Sequence, residues 1–218
     1  MGLFHGRFLF TDRERIEHDC IIRFGKPNDP KTDRPARYVL VATQVIEQSL
    51  DLDFDLMISD LAPVDLLLQR SGRLHRHEDR ENRPVSFKQP TLWLIEPKFD
   101  ETGKADFKDS GLIYDRHVLL RTWLTLKLTL KNHTSVLLPE AMDDLIESVY
   151  TLEPSPPEDL DTVQLEDWQE SLKKHHREQE SHEDLAKKVY IPSAQGKHKP
   201  SEFTRREEKD DDNTIMAV

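Results

Sequence analysis

Cys20 is the only cysteine in the chain, so no internal disulfide framework is possible, and a reducing compartment such as the cytoplasm is expected. No run of about eighteen apolar residues occurs, so no membrane span is expected. Met1-Gly2 is not followed by a basic stretch and an apolar core, which argues against a secretory signal. The seven glycines never approach the Gly-x-x-x-x-Gly-Lys-Ser/Thr spacing, so the phosphate cradle of nucleotide-binding loops is missing. No strand ends in an Asp-Glu-x-His magnesium site; Asp100-Glu101 lies among turn residues with no following histidine. Positive charge is outnumbered, 31 Lys and Arg against 42 Asp and Glu. A formal charge of -11 excludes a general basic nucleic-acid adaptor, though not local, backbone-directed contacts. The 218 residues leave room for one domain and an appendage.

Arginine, by contrast, is concentrated. Leu66 to Arg76 reads Leu-Leu-Leu-Gln-Arg-Ser-Gly-Arg-Leu-His-Arg. On a helix, Gln69, Arg73 and Arg76 fall on one face, and Arg70 lies one turn from Arg73. Arginine supplies a rigid fork that grips phosphate oxygens in two places, which lysine does not. Forks anchored on an apolar base suit charge developing on a transferring phosphoryl group. The same pattern would also fit a solvated basic helix end.

A second segment weighs against that plainer alternative. Tyr38 to Ala42 is a continuous apolar run, expected to form a strand buried on both faces. Thr43 and Gln44 leave its carboxyl end, where ligands bind in open α/β sheets. A short helical stretch carries Glu47 and Gln48. Leu50-Asp51 then turns into a second strand, Phe54 to Ser59, and Pro63 suits the first turn of the arginine helix. Both polar clusters thus sit at strand exits and could face one cleft.

Ala42-Thr43-Gln44-x-x-Glu47-Gln48-Ser49-Leu50-Asp51 resembles motif V of superfamily 2 helicases. Gln69-Arg70-x-Gly72-Arg73-x-x-Arg76 resembles their motif VI. Ser49 replaces the usual glycine, and with the following Leu-Asp-Leu-Asp-Phe-Asp it resembles the CRISPR-associated helicase–nuclease of type I interference. Leu3 to Phe8 with Asp12-Arg13 resembles that family's motif IV region. Leu138-Pro139-Glu140 through Val149-Tyr150 resembles a segment after its helicase core. The resemblance covers roughly residues 1 to 153, with 37 to 77 carrying most of it.

The resemblance implies the carboxyl-terminal half of an ATP-dependent DNA helicase, beginning near motif IV of the second RecA-like domain. Arg73 and Arg76 are then arginine fingers toward the γ-phosphate of ATP, completing the site when two lobes close. Gln69 and Arg70 support closure and contact the nucleotide or nearby carboxylates. Gly72 allows close backbone approach, and Asp51 reaches the ribose or braces the fingers. Thr43 and Gln44, with Glu47 and Gln48, couple nucleic acid to the ATP site. ATP and Mg2+ would be held mainly by a first RecA-like domain, so the chain alone is expected not to hydrolyse ATP. The implied partners are single-stranded DNA, that first domain, a His-Asp nuclease domain and the Cascade surveillance complex. A different superfamily 2 helicase acting on RNA, or a non-enzymatic docking remnant of a split gene, stays open.

The expected fold class is α/β: a partial RecA-like parallel sheet over 1–111, an α-helical extension over 112–192 and a disordered tail over 193–218. Thr11 and Glu14 form a candidate capping box for a helix with Ile16, Cys20 and Phe24 on its apolar face, closed by Gly25. Thr91 to Ile95 reads as a strand. Tyr114–Leu128, Pro139–Tyr150 and Asp159–Lys188 read as helices, the last a charged, solvated helix packing one stripe on the domain, with a docking surface as the alternative, and Trp123 reads as core. His18-Asp19 is a chance adjacency. His175-His176 point to different helix faces, so no metal is expected there.

Overall fold

The computed structural model describes residues 1–189 other than 28, 48, 49, 79, 81, 82, 133 and 134. Gln48 and the expected tail over 193–218 lie outside the described residues. Two units are distinguished, Met1–Asp167 and Trp168–Val218.

The first unit has the expected α/β character. Strand β1 (Gly2–Phe4) leads to helix α1 (Phe10–Phe24), and β2 (Leu40–Ala42) returns parallel to β1 with Leu3 opposite Val41. A short 3₁₀ turn, Gln44–Glu47, precedes β3 (Leu56–Asp60) and helix α2 (Val64–Ser71). β4 (Thr91–Ile95) pairs parallel with β3, Ile58 opposite Trp93. A small antiparallel hairpin follows, β5 (Lys98–Phe99) with β6 (Ala105–Asp106), turning at Gly103, whose φ of 86° favours glycine. Helices α3 (Ser110–Ile113), α4 (Arg116–Asn132), α5 (Met142–Tyr150) and α6 (Thr162–Val189) complete the order.

Helix α1 starts one residue before the expected cap. Leu9 occupies the cap position, no side chain caps the helix, and the Thr11–Glu14 capping box is therefore not formed. The expected apolar face is correct: Cys20 and Phe24 are buried and Ile16 packs beside them. They join Phe4, Val45, Ile46 and Leu52 in one core, which fastens motif V to α1 and the β1–β2 pair. Gly25 stops the helix in extended backbone, its N–H donating to the Ile21 carbonyl at 2.8 Å. A Cβ there would collide with that carbonyl.

The strand at 38–42 was expected to be buried on both faces, and it is not. Val39 and Val41 are exposed, as are Leu3 on β1 and Ile58, Trp93 and Ile95 on β3 and β4. Phe4 and Ser59 point to the covered side. Each parallel pair therefore has one apolar face that no layer among the described residues covers, and the period-2 alternation of a strand follows.

A second core ties α2 to the carboxyl-terminal helices. Val64, Leu145 and Val149 are buried together, with Leu68, Val118, Leu126 and Ile146 against them. Arg121 of α4 donates to the Ser148 and Thr151 carbonyls at 2.9 and 3.1 Å, satisfying the end of α5. Trp123 is buried, as expected of a core residue. Asp167, also buried, accepts from Arg116 at 2.7 Å and from the Ala105 N–H at 3.2 Å, anchoring the hairpin and the first turns of α6. Beyond Asp167, α6 is charged, with i,i+4 pairs such as Lys174–Glu178.

Candidate nucleotide and nucleic-acid site

Motif VI does not continue as a helix. α2 ends at Ser71, and Gly72 caps it. The expectation that Gln69, Arg73 and Arg76 share a helical face fails for that reason. From Arg73 the chain runs alongside Phe54 in a parallel bridge: Phe54 N–H donates to the Arg73 carbonyl at 2.8 Å, and His75 N–H donates to the Phe54 carbonyl at 3.1 Å. Leu74 is buried, which outweighs the local helical preference of the segment. His75 takes a φ of 49°, a left-handed conformation that reverses the chain between the two arginines.

Arg73 is nearly buried. Burial, and then the neighbouring charge of Arg76, pull its guanidinium below the ordinary arginine value, with Asp51 opposing. Arg76 is more open. Its Nε donates to Asp51 Oδ1 at 2.6 Å and its Nη1 to the Gly72 carbonyl at 3.3 Å. The Arg76 and Asp51 side chains are 40% and 54% exposed, so this pair is solvated and weak. Arg73, Arg76, Asp51 and Gly72 are thus brought together.

Arg70 is held quite differently. Its Nε and Nη2 donate to Glu47 Oε1 at 2.8 and 2.5 Å. Nη1 donates to Ser59 Oγ at 2.6 Å and to the Asp60 carbonyl at 3.2 Å, and Nη2 reaches Tyr114 Oη at 3.3 Å. Arg70 therefore bolts motif V to the exit of β3. Thr43 continues the β1–β2 ladder, its N–H donating to the Phe4 carbonyl at 3.0 Å, while its Oγ1 accepts from Gly6 N–H at 3.3 Å. Gln44 and Gln69 are exposed.

A third cluster was not anticipated. Asp53 is fully buried and accepts from Arg83 Nη2 at 2.9 and 3.0 Å, from Arg80 Nη1 at 3.4 Å and from the backbone N–H of Arg76 at 2.9 Å. Asp55 binds Arg80 and Arg83, with Arg34 3.7 Å away. Burial would raise the Asp55 carboxyl, but the Arg80 hydrogen bond and the three arginine charges outweigh it and hold it below its ordinary value. Burial, and then Arg80, lower Arg34. The Leu-Asp-Leu-Asp-Phe-Asp alternation was the signal available in the sequence; the contacts to residues 80 and 83 were not.

A family model described as the carboxyl-terminal part of CRISPR-associated nuclease/helicase Cas3 matches residues 1–79. The chain is 43% identical over 148 residues to the CRISPR-associated endonuclease/helicase Cas3 of Thermus thermophilus, covering 68% of this chain and 15% of that protein. A solved structure of T. fusca Cas3 with ATP superposes with a TM-score of 0.72 at 38% identity, covering 87% of this chain and 20% of that one. The chain belongs to the Cas3 family. A chain of a solved CRISPR RNA-guided surveillance complex, pre-nicking, also superposes, with a TM-score of 0.66 and 40% identity, covering 87% of this chain and 21% of that one. The chain thus spans 15% of the length of the Thermus Cas3 it matches, and its α/β unit is RecA-like with a helical extension.

The donor set suits a phosphate edge: two arginine forks beside an exchangeable carboxylate. It does not suit a metal, since no group of three or more His, Cys, Asp or Glu side chains among the described residues is arranged to hold one. No helix among those residues is long and apolar enough to cross a membrane.

Proposed function

We propose that this chain supplies the second RecA-like lobe of an ATP-dependent DNA helicase acting in type I CRISPR interference. ATP and Mg2+ bind mainly to a first RecA-like domain, and hydrolysis of the terminal phosphate drives the cycle. Arg73 and Arg76 act as arginine fingers: lobe closure carries them to the phosphoryl group, where they stabilise the charge of the transition state. The observation that carries this is the contrast between the two motif VI anchors. Arg70 is spent on Glu47, Ser59 and Asp60, whereas Arg76 is held by an exposed carboxylate that a phosphate can replace at little cost.

Asp51 parks Arg76 until nucleotide arrives, then braces the fingers or meets the ribose. Gln69 stands exposed beside Gly72, free to follow closure. Thr43 and Gln44 touch the backbone of single-stranded DNA at the end of β2. The Glu47–Arg70 pair passes that contact from motif V to motif VI, with Gln48 on the same segment. A His-Asp nuclease domain and the Cascade complex are the further partners; the likeness to a chain of a CRISPR RNA-guided surveillance complex supports the latter.

The test is DNA-stimulated ATPase in the enzyme assembled with its ATP-binding lobe. Arg73→Ala and Arg76→Ala should each lower turnover by about 10³-fold or more. Full stimulated ATPase in both variants sinks the proposal.

A further inference from the structure

We infer that Asp53 is a positioning residue for the Arg76 finger, acting through the backbone; this rests on the finger reading above. Arg76 is attached through its side chain and through its backbone. Its side chain meets exposed Asp51 and, at 3.3 Å, the Gly72 carbonyl, solvated contacts that leave the guanidinium free to exchange partners. Its N–H donates to Asp53 Oδ1 at 2.9 Å, and Asp53 is fully buried. The second attachment is the one that can define where the finger starts. It falls directly after His75, whose φ of 49° must be held by its surroundings. Two further bonds complete a short ladder between Phe54 and the finger segment, Phe54 N–H to the Arg73 carbonyl and His75 N–H to the Phe54 carbonyl, and a third, Asp53 N–H to the Phe24 carbonyl at 2.7 Å, ties the ladder to α1.

A buried carboxylate is tolerated only when its charge is met. Arg83 and Arg80 meet it directly, Arg34 lies 3.8 Å away, and Asp55 shares all three arginines. Arg34 also donates to the Asp53 carbonyl at 2.6 Å. Three guanidinium groups from two separate loops therefore clamp the acid that holds the finger. Asp55 shares that clamp without touching Arg76, which provides an internal control.

The experiment compares Asp53→Asn, Asp55→Asn and Arg76→Ala in the enzyme assembled with its ATP-binding lobe. Asn at 53 places an amide donor among arginine donors, so the carboxamide cannot serve Arg83 and Arg76 as the carboxylate does. Asp53→Asn should lower kcat by about 10²-fold, the scale of a roughly 1 Å misplacement, with KM for ATP within about twofold. Asp55→Asn should share any loss of thermal stability yet keep kcat within about threefold, because the backbone bond to Arg76 remains. Amide exchange at Arg76 in the 218-residue chain should accelerate in Asp53→Asn and not in Asp55→Asn. If Asp53→Asn does not fold, Asp53→Glu keeps the charge, moves the carboxylate by one methylene and is judged by the same kcat and exchange criteria. Equal kcat losses at 53 and 55 would make the cluster merely structural and overturn the inference. So would wild-type kcat in Asp53→Asn beside an inactive Arg76→Ala, which leaves the finger reading intact. Full turnover in Arg76→Ala overturns both.

Discussion

Arg70 and Glu47, 23 residues apart, are joined by two hydrogen bonds of 2.8 and 2.5 Å from one guanidinium edge to a single carboxylate oxygen. Both side chains are nearly out of solvent, at 12% and 10% exposure. The pair locks the 3₁₀ turn of motif V onto α2, while the remaining Arg70 donors hold the end of β3. Lysine could meet the charge, but its donors sit on one compact nitrogen and cannot span the acceptors that the planar guanidinium fork reaches.

Arg70→Lys should therefore destabilise the fold, and Arg70→Ala should do so further, by roughly 3–5 kcal/mol, because Glu47 is left buried and unpaired. Denaturant unfolding of the 218-residue chain reads this directly. Destabilisation below about 1 kcal/mol, the scale of an exposed ion pair, would show the bond to be dispensable.

Tyr150 and Asp65 link α5 to the start of α2, the phenol donating to Oδ1 at 2.5 Å. Burial first, then the Asp65 hydrogen bond and charge, push the Tyr150 phenol above its ordinary value. A raised pKa means the folded state favours the protonated phenol. Its contribution is full below the ordinary tyrosine pKa of about 10 and is lost as pH rises past it. Tyr150→Phe should cost about 1 kcal/mol at most at neutral pH, since the site is half-exposed. The gap in melting temperature between wild type and variant should hold from about pH 6 to 9 and shrink above about 10. A gap that widens with alkalinity contradicts the assignment.

Cys20 sits in the first core, where burial pushes its thiol up to about 11. Compared with a free cysteine, the thiolate fraction near neutral pH should be lower by roughly 10²-fold. Alkylation by iodoacetamide should be correspondingly slow in the folded chain and reach the free-thiol rate in denaturant. Labelling at the free rate under native conditions would mean that α1 does not pack on β1 and β2 as described.

Much of this was legible from residue types. The Thr43–Gln44 exit, the Asp51 turn and the arginines of motif VI are chemistry-bearing residues at short, fixed spacings, and so is the Ile16–Cys20–Phe24 stripe. What was not legible depends on distant partners. Gln69, Arg73 and Arg76 fit a helix, and only hydrogen bonds to Phe54, about twenty residues upstream, pull the chain off it. The clamp on Asp53 joins residues as many as 30 apart through loops that carry no periodicity. Likewise the apolar run at 38–42 reads the same whether one face or both are covered. Only the uncovered Val39 and Val41 distinguish the two.

His75 gives the sharpest local test of that departure from helix. Its φ of 49° lies in a region that asparagine tolerates and β-branched residues do not. It separates Arg73, whose carbonyl is held by Phe54, from Arg76, whose N–H is held by Asp53, so the turn sets the spacing of the two guanidinium groups. His75→Asn should keep stability within about 1 kcal/mol, and His75→Val should lose roughly 1–3 kcal/mol. If the turn matters for function, the valine variant of the assembled enzyme should also lose DNA-stimulated ATPase beyond what its unfolded fraction explains. Equal stability of the two variants would mean that the backbone at 75 relaxes to an ordinary conformation. The left-handed turn would then not set the distance between the fingers.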